Sequence, residues 1–332
     1  MSALSQKRAA GTGLWRRHEF WLGVLFLLTI VVMSMLSPDF LTAANILEMP
    51  RFFVEPGLLA LAMTFVIITG GIDLSVGSIM ALAAVMTGIA WRDWGLPIGA
   101  CVGVGLLTGA AAGAVNGLII TRLGVPPLMV TLATMASFRG IAIGISGASP
   151  VSDFPDSFIN IGNSYVPITK DLGVPAQLFI FLALAIVAGI LLWRTWLGRQ
   201  IYAIGHNETA ARYAGINASG VKLGVYVASG VISALAAIVA VSRFATAKAD
   251  AGSGMELLVI TACVLGGIDI YGGRGTVIGA VLGVLTISVL GNGLQLADVG
   301  SEARAVVTGA LLIIAVILGQ IGRRGRGAGS AE

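Results

Sequence analysis

The sequence predicts an all-α polytopic membrane protein of about ten transmembrane helices, with both termini on the cytoplasmic side. Three observations predict it: a composition too apolar for a water-facing surface, apolar runs of bilayer length, and basic residues gathered between those runs. Of the 332 residues, 57% are hydrophobic and 11% charged, and the mean hydropathy is +0.95. Soluble domains carry about 25% charged residues. This chain therefore lacks the charged coat that water demands, and a bilayer is the solvent that needs none. The 46 glycines fit the same setting, because small residues let membrane helices approach closely where no hydrophobic effect drives them together.

A helix needs about 20 apolar residues to cross the hydrocarbon. The runs 19–37, 53–70, 75–91, 97–119, 125–146, 176–194, 222–242, 255–270, 276–295 and 303–321 meet or approach that length. The first follows Lys7, Arg8, Arg16 and Arg17 but ends in Ser37-Pro38-Asp39-Phe40, without a small-residue cleavage pattern. It is read as a retained helix rather than a signal peptide. The connections 70–75 and 270–276 are tight, so the hairpins they join read as broken or re-entrant helices as readily as clean spans. In the fourth run Gly105, Gly109, Gly113 and Gly117 recur every four residues and predict one smooth packing face. The order of runs makes 1–18 a cytoplasmic tail, 19–321 a transmembrane domain with a cytoplasmic loop at 195–221, and 322–332 a second cytoplasmic tail.

Charge tests this topology. With ten spans and the N-terminus inside, thirteen Lys and Arg residues fall in cytoplasmic segments and six in outer ones, as the positive-inside rule requires. The net charge of +4 is then a topology signal and not a nucleic-acid patch, and the expected surroundings are lipid in the cell inner membrane. Arg139 lies within the fifth run, so a buried partner or an aqueous vestibule is expected for it. Cys101 and Cys263 fall in apolar runs and are expected as packing residues.

The sequence echoes itself. Gly70-Gly71-Ile72-Asp73-Leu74 recurs as Gly266-Gly267-Ile268-Asp269-Ile270, and Asn116-Gly117-Leu118 as Asn292-Gly293-Leu294. The topology gives both Gly-Gly-Ile-Asp elements the same inner end, as in a parallel repeat. Asp73, Ser75, Asn116, Thr134, Asp269 and Asn292 are the candidates for a polar translocation path. Two alternatives stand beside that reading: Asp73 and Asp269 rest at the aqueous inner interface, and Asn116, Thr134, Ser137 and Asn292 make interhelical hydrogen bonds.

Absences narrow the chemistry. The four lysines follow Gln6, Thr169, Val221 and Ala247, so no Gly-Lys-Ser/Thr phosphate loop exists. His18 and His206, the two histidines, are far apart and cannot form a metal-binding helix. Neither a nucleophile–base pair nor a metal set is legible, so no catalytic residue, metal or cofactor is expected. An ATP-independent secondary carrier remains an alternative, although paired intramembrane carboxylates are missing.

The loop 195–221 is the most informative stretch. Asn207 can cap a short isolated helix, Glu208 complements its N-terminal dipole, and Gly215 supplies a left-handed end. Ala210, Ala211 and Ala214 lie between them on a smooth face flanked by Arg212 and Tyr213. About two turns do not persist alone in water, so this helix must dock, either in a groove on a partner protein or on the lipid surface. His206 is expected as a surface residue at its entrance.

Glu208-Thr209-Ala210-Ala211 with Gly215 resembles the Glu-Ala-Ala…Gly coupling element of bacterial ABC importer permeases, with Thr209 replacing the usual first alanine. The stretches 70–78, 116–119, 126–132 and 265–275 resemble the ribose-type sugar permease family, and the likeness covers roughly residues 20 to 321. Region 243–300 resembles permeases for rhamnose or the autoinducer-2 furanose. The resemblance implies an importer with a cytoplasmic ATPase subunit, a second permease subunit (identical or paralogous) and a periplasmic solute-binding protein. It implies that Asn207, Glu208, Ala210, Ala211, Arg212 and Gly215 couple the permease to ATP hydrolysed by that partner. A nucleoside or branched-chain amino acid is the alternative solute within the same class.

Overall fold

The computed structural model describes residues 18–169 and 172–304, with 306, 307, 309, 310 and 313. Helices α1 (His18–Leu36), α2 (Ala43–Glu48), α3 (Pro50–Ile68), α4 (Val76–Arg92), α5 (Ile98–Arg122) and α6 (Pro127–Ser146) come first. A shorter helix, α7 (Asp156–Asn163), and two strands, β1 (Tyr165–Pro167) and β2 (Gly173–Pro175), follow. The chain continues with α8 (Gln177–Arg194), α9 (Trp196–His206), α10 (Glu208–Tyr213), α11 (Ala218–Phe244), α12 (Met255–Leu265) and α13 (Val277–Leu296). Among the described residues six helical stretches are long and apolar enough to cross a membrane, with Ala43–Ile68 counted as one, and three shorter apolar helices accompany them. The predicted run 303–321 lies largely outside the described residues, as do the two tails.

The expectation of an all-α chain needs a small correction. Strands β1 and β2 pair antiparallel, Tyr165 opposite Pro175, in the proline-rich connection before α8. Proline at both edges stops helix growth there while leaving a short ladder possible.

Helix α11, 27 residues long and therefore about 40 Å, is the central post, lying against α3, α4, α5 and α7. Glycines set its distance from α5: a Cβ at Gly109 would overlap the Gly230 carbonyl, and one at Gly113 the Tyr226 carbonyl. The middle of the predicted glycine stripe is thus a backbone-to-backbone contact, as membrane helices favour, while Gly105 faces Thr87 of α4 and Gly117 faces Leu223 of α11. Helices α3 and α4 are buried along most of their length, while α5, α6 and α8 expose one apolar side at the periphery.

One run forms a shorter helix than its apolar length predicts. Helix α12 has 11 residues, about 16 Å, against a hydrocarbon thickness of about 30 Å. Ala245, with φ +53°, ends α11 and turns the chain into the segment 245–254. Ala247 exchanges backbone hydrogen bonds with Val151 at 2.8 and 2.9 Å, where both residues face Gly88 of α4. By Gly252 the chain lies against Gly77 of the same helix, about 16 Å further along it. The segment 245–254 thus runs along α4 from Gly88 to Gly77 ahead of α12, and the tight connection 270–276 joins α12 to α13. Arg139 holds the segment 245–254: its Nη1 donates to the carbonyls of Ala249 and Ala251, both at 2.8 Å. Arg139 and both of its partners are half-buried, so the charge is met by backbone carbonyls at a partly exposed position.

Candidate functional site

The site grows from the segment between α8 and α11, which folds as a helical hairpin. The Thr195 hydroxyl accepts from the Gly198 N–H at 3.3 Å and caps α9; the Asn207 side-chain Oδ1 accepts from the Ala210 N–H at 2.9 Å and caps α10. Gly215, with φ +84°, ends α10, and the Ile216 N–H reaches back to the Ala211 carbonyl at 3.0 Å, closing the helix as a left-handed glycine cap does. The predicted isolated helix is instead the second arm of a pair, and His206 ends the first arm.

The predicted smooth face is divided between two sides. Ala211 turns inward and packs with Ile204 and Ala218, whereas Thr209, Ala210 and Ala214 are exposed and Tyr213 is 89% exposed. Glu208 ties the hairpin to α11: it accepts from Arg212 at 2.6 Å and from the Lys222 ammonium. Burial pushes its carboxyl upward, but the hydrogen bonds from Lys222 and Arg212 outweigh that and hold it below the ordinary value.

The hairpin is seated on backbone. Gly205 of α9 lies so close to the Ile68 carbonyl and the Gly273 amide that a Cβ would overlap both, and the Gly273 N–H donates to the Ile68 carbonyl at 2.9 Å. The Tyr202 hydroxyl donates to the Gly275 carbonyl at 2.7 Å. Both Gly-Gly-Ile-Asp elements therefore end at one place, against α9. Neither Gly205 nor Tyr202 stands out in the sequence; a glycine inside an apolar helical pattern is the one available signal for close approach.

Beyond this seat lies a buried polar cluster at the break between α3 and α4. Asp73 is fully buried and accepts from the Ser75 N–H at 3.0 Å, the Ser75 hydroxyl at 2.5 Å and the Ser229 hydroxyl at 3.0 Å. The Asn116 amide donates to the Ser75 hydroxyl at 2.8 Å, and Thr131 donates to the Ile72 carbonyl at 3.0 Å. The Asn116 side-chain Oδ1 and the Tyr226 hydroxyl are buried without a hydrogen-bond partner among the described residues. Asp73, Ser75 and Asn116 thus come together, joined by Ser229, Thr131 and Tyr226, which the sequence reading passes over because hydroxyls on apolar helices are common.

The other path candidates lie elsewhere. Asp269 is half-buried and accepts from the Tyr271 N–H at 3.1 Å, capping a turn; Thr276 caps the helix that follows. Asn292 exchanges two 3.0 Å hydrogen bonds with Asn45, an interhelical pair. Thr134 donates to Val130 and Thr131 carbonyls of its own helix, and Ser137 to the Ala133 carbonyl. The aqueous-interface alternative fails for Asp73, whose burial excludes water contact. Missed altogether is Glu55, 2% exposed in α3, whose Oε1 lies 2.9 Å from Arg243 Nε; a lone carboxylate within the run 53–70 is the signal that could have found it.

Comparison with known proteins agrees with this architecture. Residues 45–316 match the family described as "Branched-chain amino acid transport system / permease component". The ribose import permease protein of Bacillus subtilis is 40% identical over 315 residues, covering 94% of this chain and 95% of that protein. The autoinducer 2 import system permease protein of Photorhabdus laumondii is 38% identical over 305 residues, 90% of each chain. The ribose import permease protein of Haemophilus influenzae is 37% identical over 302 residues, 89% of this chain and 90% of that one. No solved structure matches.

Proposed function

The chain belongs to the branched-chain amino acid transport system / permease component family, and we propose that it forms the transmembrane pathway of an ATP-binding-cassette importer for a small sugar. The solute class comes from relatives named for ribose and autoinducer 2. The observation that carries the coupling is the seat of the α9–α10 hairpin: Gly205 rests on the Ile68 carbonyl, at the helix end that leads into the Asp73 break.

In this reading residues 1–18 and 322–332 are cytoplasmic tails, 19–321 is the transmembrane domain of about ten helices, and the hairpin faces the cytoplasm from the inner membrane. A cytoplasmic ATPase receives the exposed face of α10, formed by Thr209, Ala210, Tyr213 and Ala214. Asn207, Glu208, Ala211, Arg212 and Gly215 hold that face in shape. Closure of the ATPase on ATP pushes the hairpin, and the hairpin moves the end of α3. A second permease subunit completes the pore and a periplasmic binding protein delivers solute. Asp73, Ser75 and Asn116 belong to the path; Thr134, Asp269 and Asn292 serve packing or turn formation.

The test is co-purification from native membrane. Ala210→Trp and Tyr213→Ala alter only exposed surface, so the chain should fold and lose its ATPase. Recovery of the ATPase in wild-type amount with both variants would refute the docking face. The family's description favours a branched-chain amino acid as the second reading, and competition of labelled ribose uptake by leucine separates the two.

A further inference from the structure

At the end of the bundle opposite the hairpin, a cavity of about 340 Å³ opens between α3, α4, α11 and the segment 245–254. That volume lies within the roughly 300–1,000 Å³ of small-molecule sites. Four charged side chains line it: Glu55, Arg243, Lys248 and Asp250. Glu55 and Arg243 are paired at 2.9 Å, with Glu55 buried. Lys248 and Asp250 are exposed and enter no ion pair among the described residues.

We propose that this cavity is the outward-facing binding site of the permease for its solute, a neutral polyhydroxylated molecule held by hydroxyl hydrogen bonds to these four charged groups. The proposal rests on the importer reading and deepens it. Two cations and two anions cancel, so the cavity has no net charge with which to hold an ion. The Glu55–Arg243 pair sets a donor beside an acceptor, which is what a vicinal diol needs, Lys248 and Asp250 add one more of each to the lining, and hydrogen bonds to charged groups are the strong kind.

The position of the cavity supports a place on the path. Its lining reaches Met80 and Gly252, and a Cβ at Gly77 would overlap the Gly252 carbonyl. Just past that contact stand Ser75 and Asp73. The segment 245–254, gripped by Arg139, both lines the cavity and packs on Gly77, two residues from Ser75 of the buried polar cluster. Withdrawal of that segment would join the two into one polar path.

The experiment uses the full importer in proteoliposomes, with ribose as the probe. Thr246 lines the cavity, and native Cys101 and Cys263 are buried, so Thr246→Cys can be labelled selectively by a membrane-impermeant maleimide. Millimolar ribose should slow that labelling about fivefold, a site-occupancy effect. Asp250→Asn and Lys248→Met, both exposed and thus compatible with folding, should each lower ribose taken up per ATP hydrolysed about tenfold, the weight of one charged hydrogen bond. Unchanged uptake per ATP in both variants, labelling indifferent to ribose, or protection by leucine in its place would overturn the site. Absence of ribose uptake by the wild-type importer would sink the importer reading and this site with it; wild-type uptake with indifferent variants sinks the site alone.

Discussion

Gly205→Ala tests whether the hairpin is seated on backbone or merely lies beside it. At an open position inside a helix, replacing glycine by alanine stabilises by about 1 kcal/mol. At Gly205 the added Cβ would overlap the Ile68 carbonyl oxygen and the Gly273 amide nitrogen. Those two atoms are hydrogen-bonded to each other at 2.9 Å, so neither can retreat without loosening that bond, worth about 1 kcal/mol. Overpacking of a close contact costs about 1–3 kcal/mol. The sign therefore reverses: the seated state should lose about 1–3 kcal/mol, or roughly 5–150-fold in its population against an unseated one. Hydrogen exchange over residues 196–216 reads this directly, and solute uptake per ATP reads its consequence. Gly224→Ala, a helical glycine with open space around it, is the control and should be neutral or stabilising. Wild-type protection of the hairpin with unchanged or raised thermal stability in Gly205→Ala would refute the backbone seat.

Three further outcomes follow from the same contacts. Glu208 has its carboxyl held below the ordinary value, about 4.3, so its ties to Arg212 and Lys222 contribute fully above that value and fade as pH falls through the lower folded-state one. Hairpin protection should be flat from about pH 8 to pH 5 and weaken below about pH 4, while Glu208→Gln should remove that acid step; an acid step surviving in Glu208→Gln would assign it to another group. Gly113→Ala should destabilise the purified chain by about 1–3 kcal/mol in thermal unfolding, because its Cβ would overlap the Tyr226 carbonyl; Gly140→Ala, in open space, should not. Arg139→Met removes two hydrogen bonds of about 1.5–3 kcal/mol each to the carbonyls of Ala249 and Ala251, and amide exchange over 249–252 should accelerate at least about tenfold. Equal exchange rates would mean that the segment is held by its packing.

Much of the fold was legible because the strongest signals are long and local. Nine of the ten apolar runs coincide with described helices, and the glycine stripe marked a close contact that Gly109, Gly113 and Gly117 make with α11 and Gly105 with Thr87 of α4. The cap at Asn207 and the stop at Gly215 were legible for the same reason: cap chemistry is decided within four residues. What escaped depends on distant chain. Helix α9 was obscured by Gly198 and Gly205, which lower intrinsic helix propensity but are required by the Leu192 and Ile68 carbonyls that they approach. The 245–254 segment falls between the predicted runs 222–242 and 255–270, and only its contacts with Gly77, Gly88 and Arg139 fold it back along α4. Ala211 and Ala210 are adjacent and chemically identical, so sequence could not tell which faces inward.

The Gly-Gly-Ile-Asp echo separates local encoding from function most sharply. Both copies stop a helix through a left-handed glycine at φ +83°, but α3 uses the first of its pair, Gly70, and α12 the second, Gly267. Each aspartate then accepts from the amide two residues on, Ser75 in one copy and Tyr271 in the other. The local chemistry is the same, a helix stop followed by an Asx turn. What differs is the surroundings. Asp73 runs at once into α4 and receives the Ser229 hydroxyl from α11, so it is sealed in the bundle, whereas Asp269 opens a turn that stays half-exposed. The Asp269 turn delivers Gly273 to the Ile68 carbonyl, and Gly205 presses on that joint. A displacement of the hairpin thus meets the end of α3 directly, two residues before the Gly70 stop and five before Asp73. With Asp73 bonded across to α11 through Ser229, and Ser75 across to α5 through Asn116, such a displacement cannot remain confined to one helix end. It must either break that buried cluster or carry α4, α5 and α11 with it, and unpaired polar groups at that depth are costly enough to favour the second.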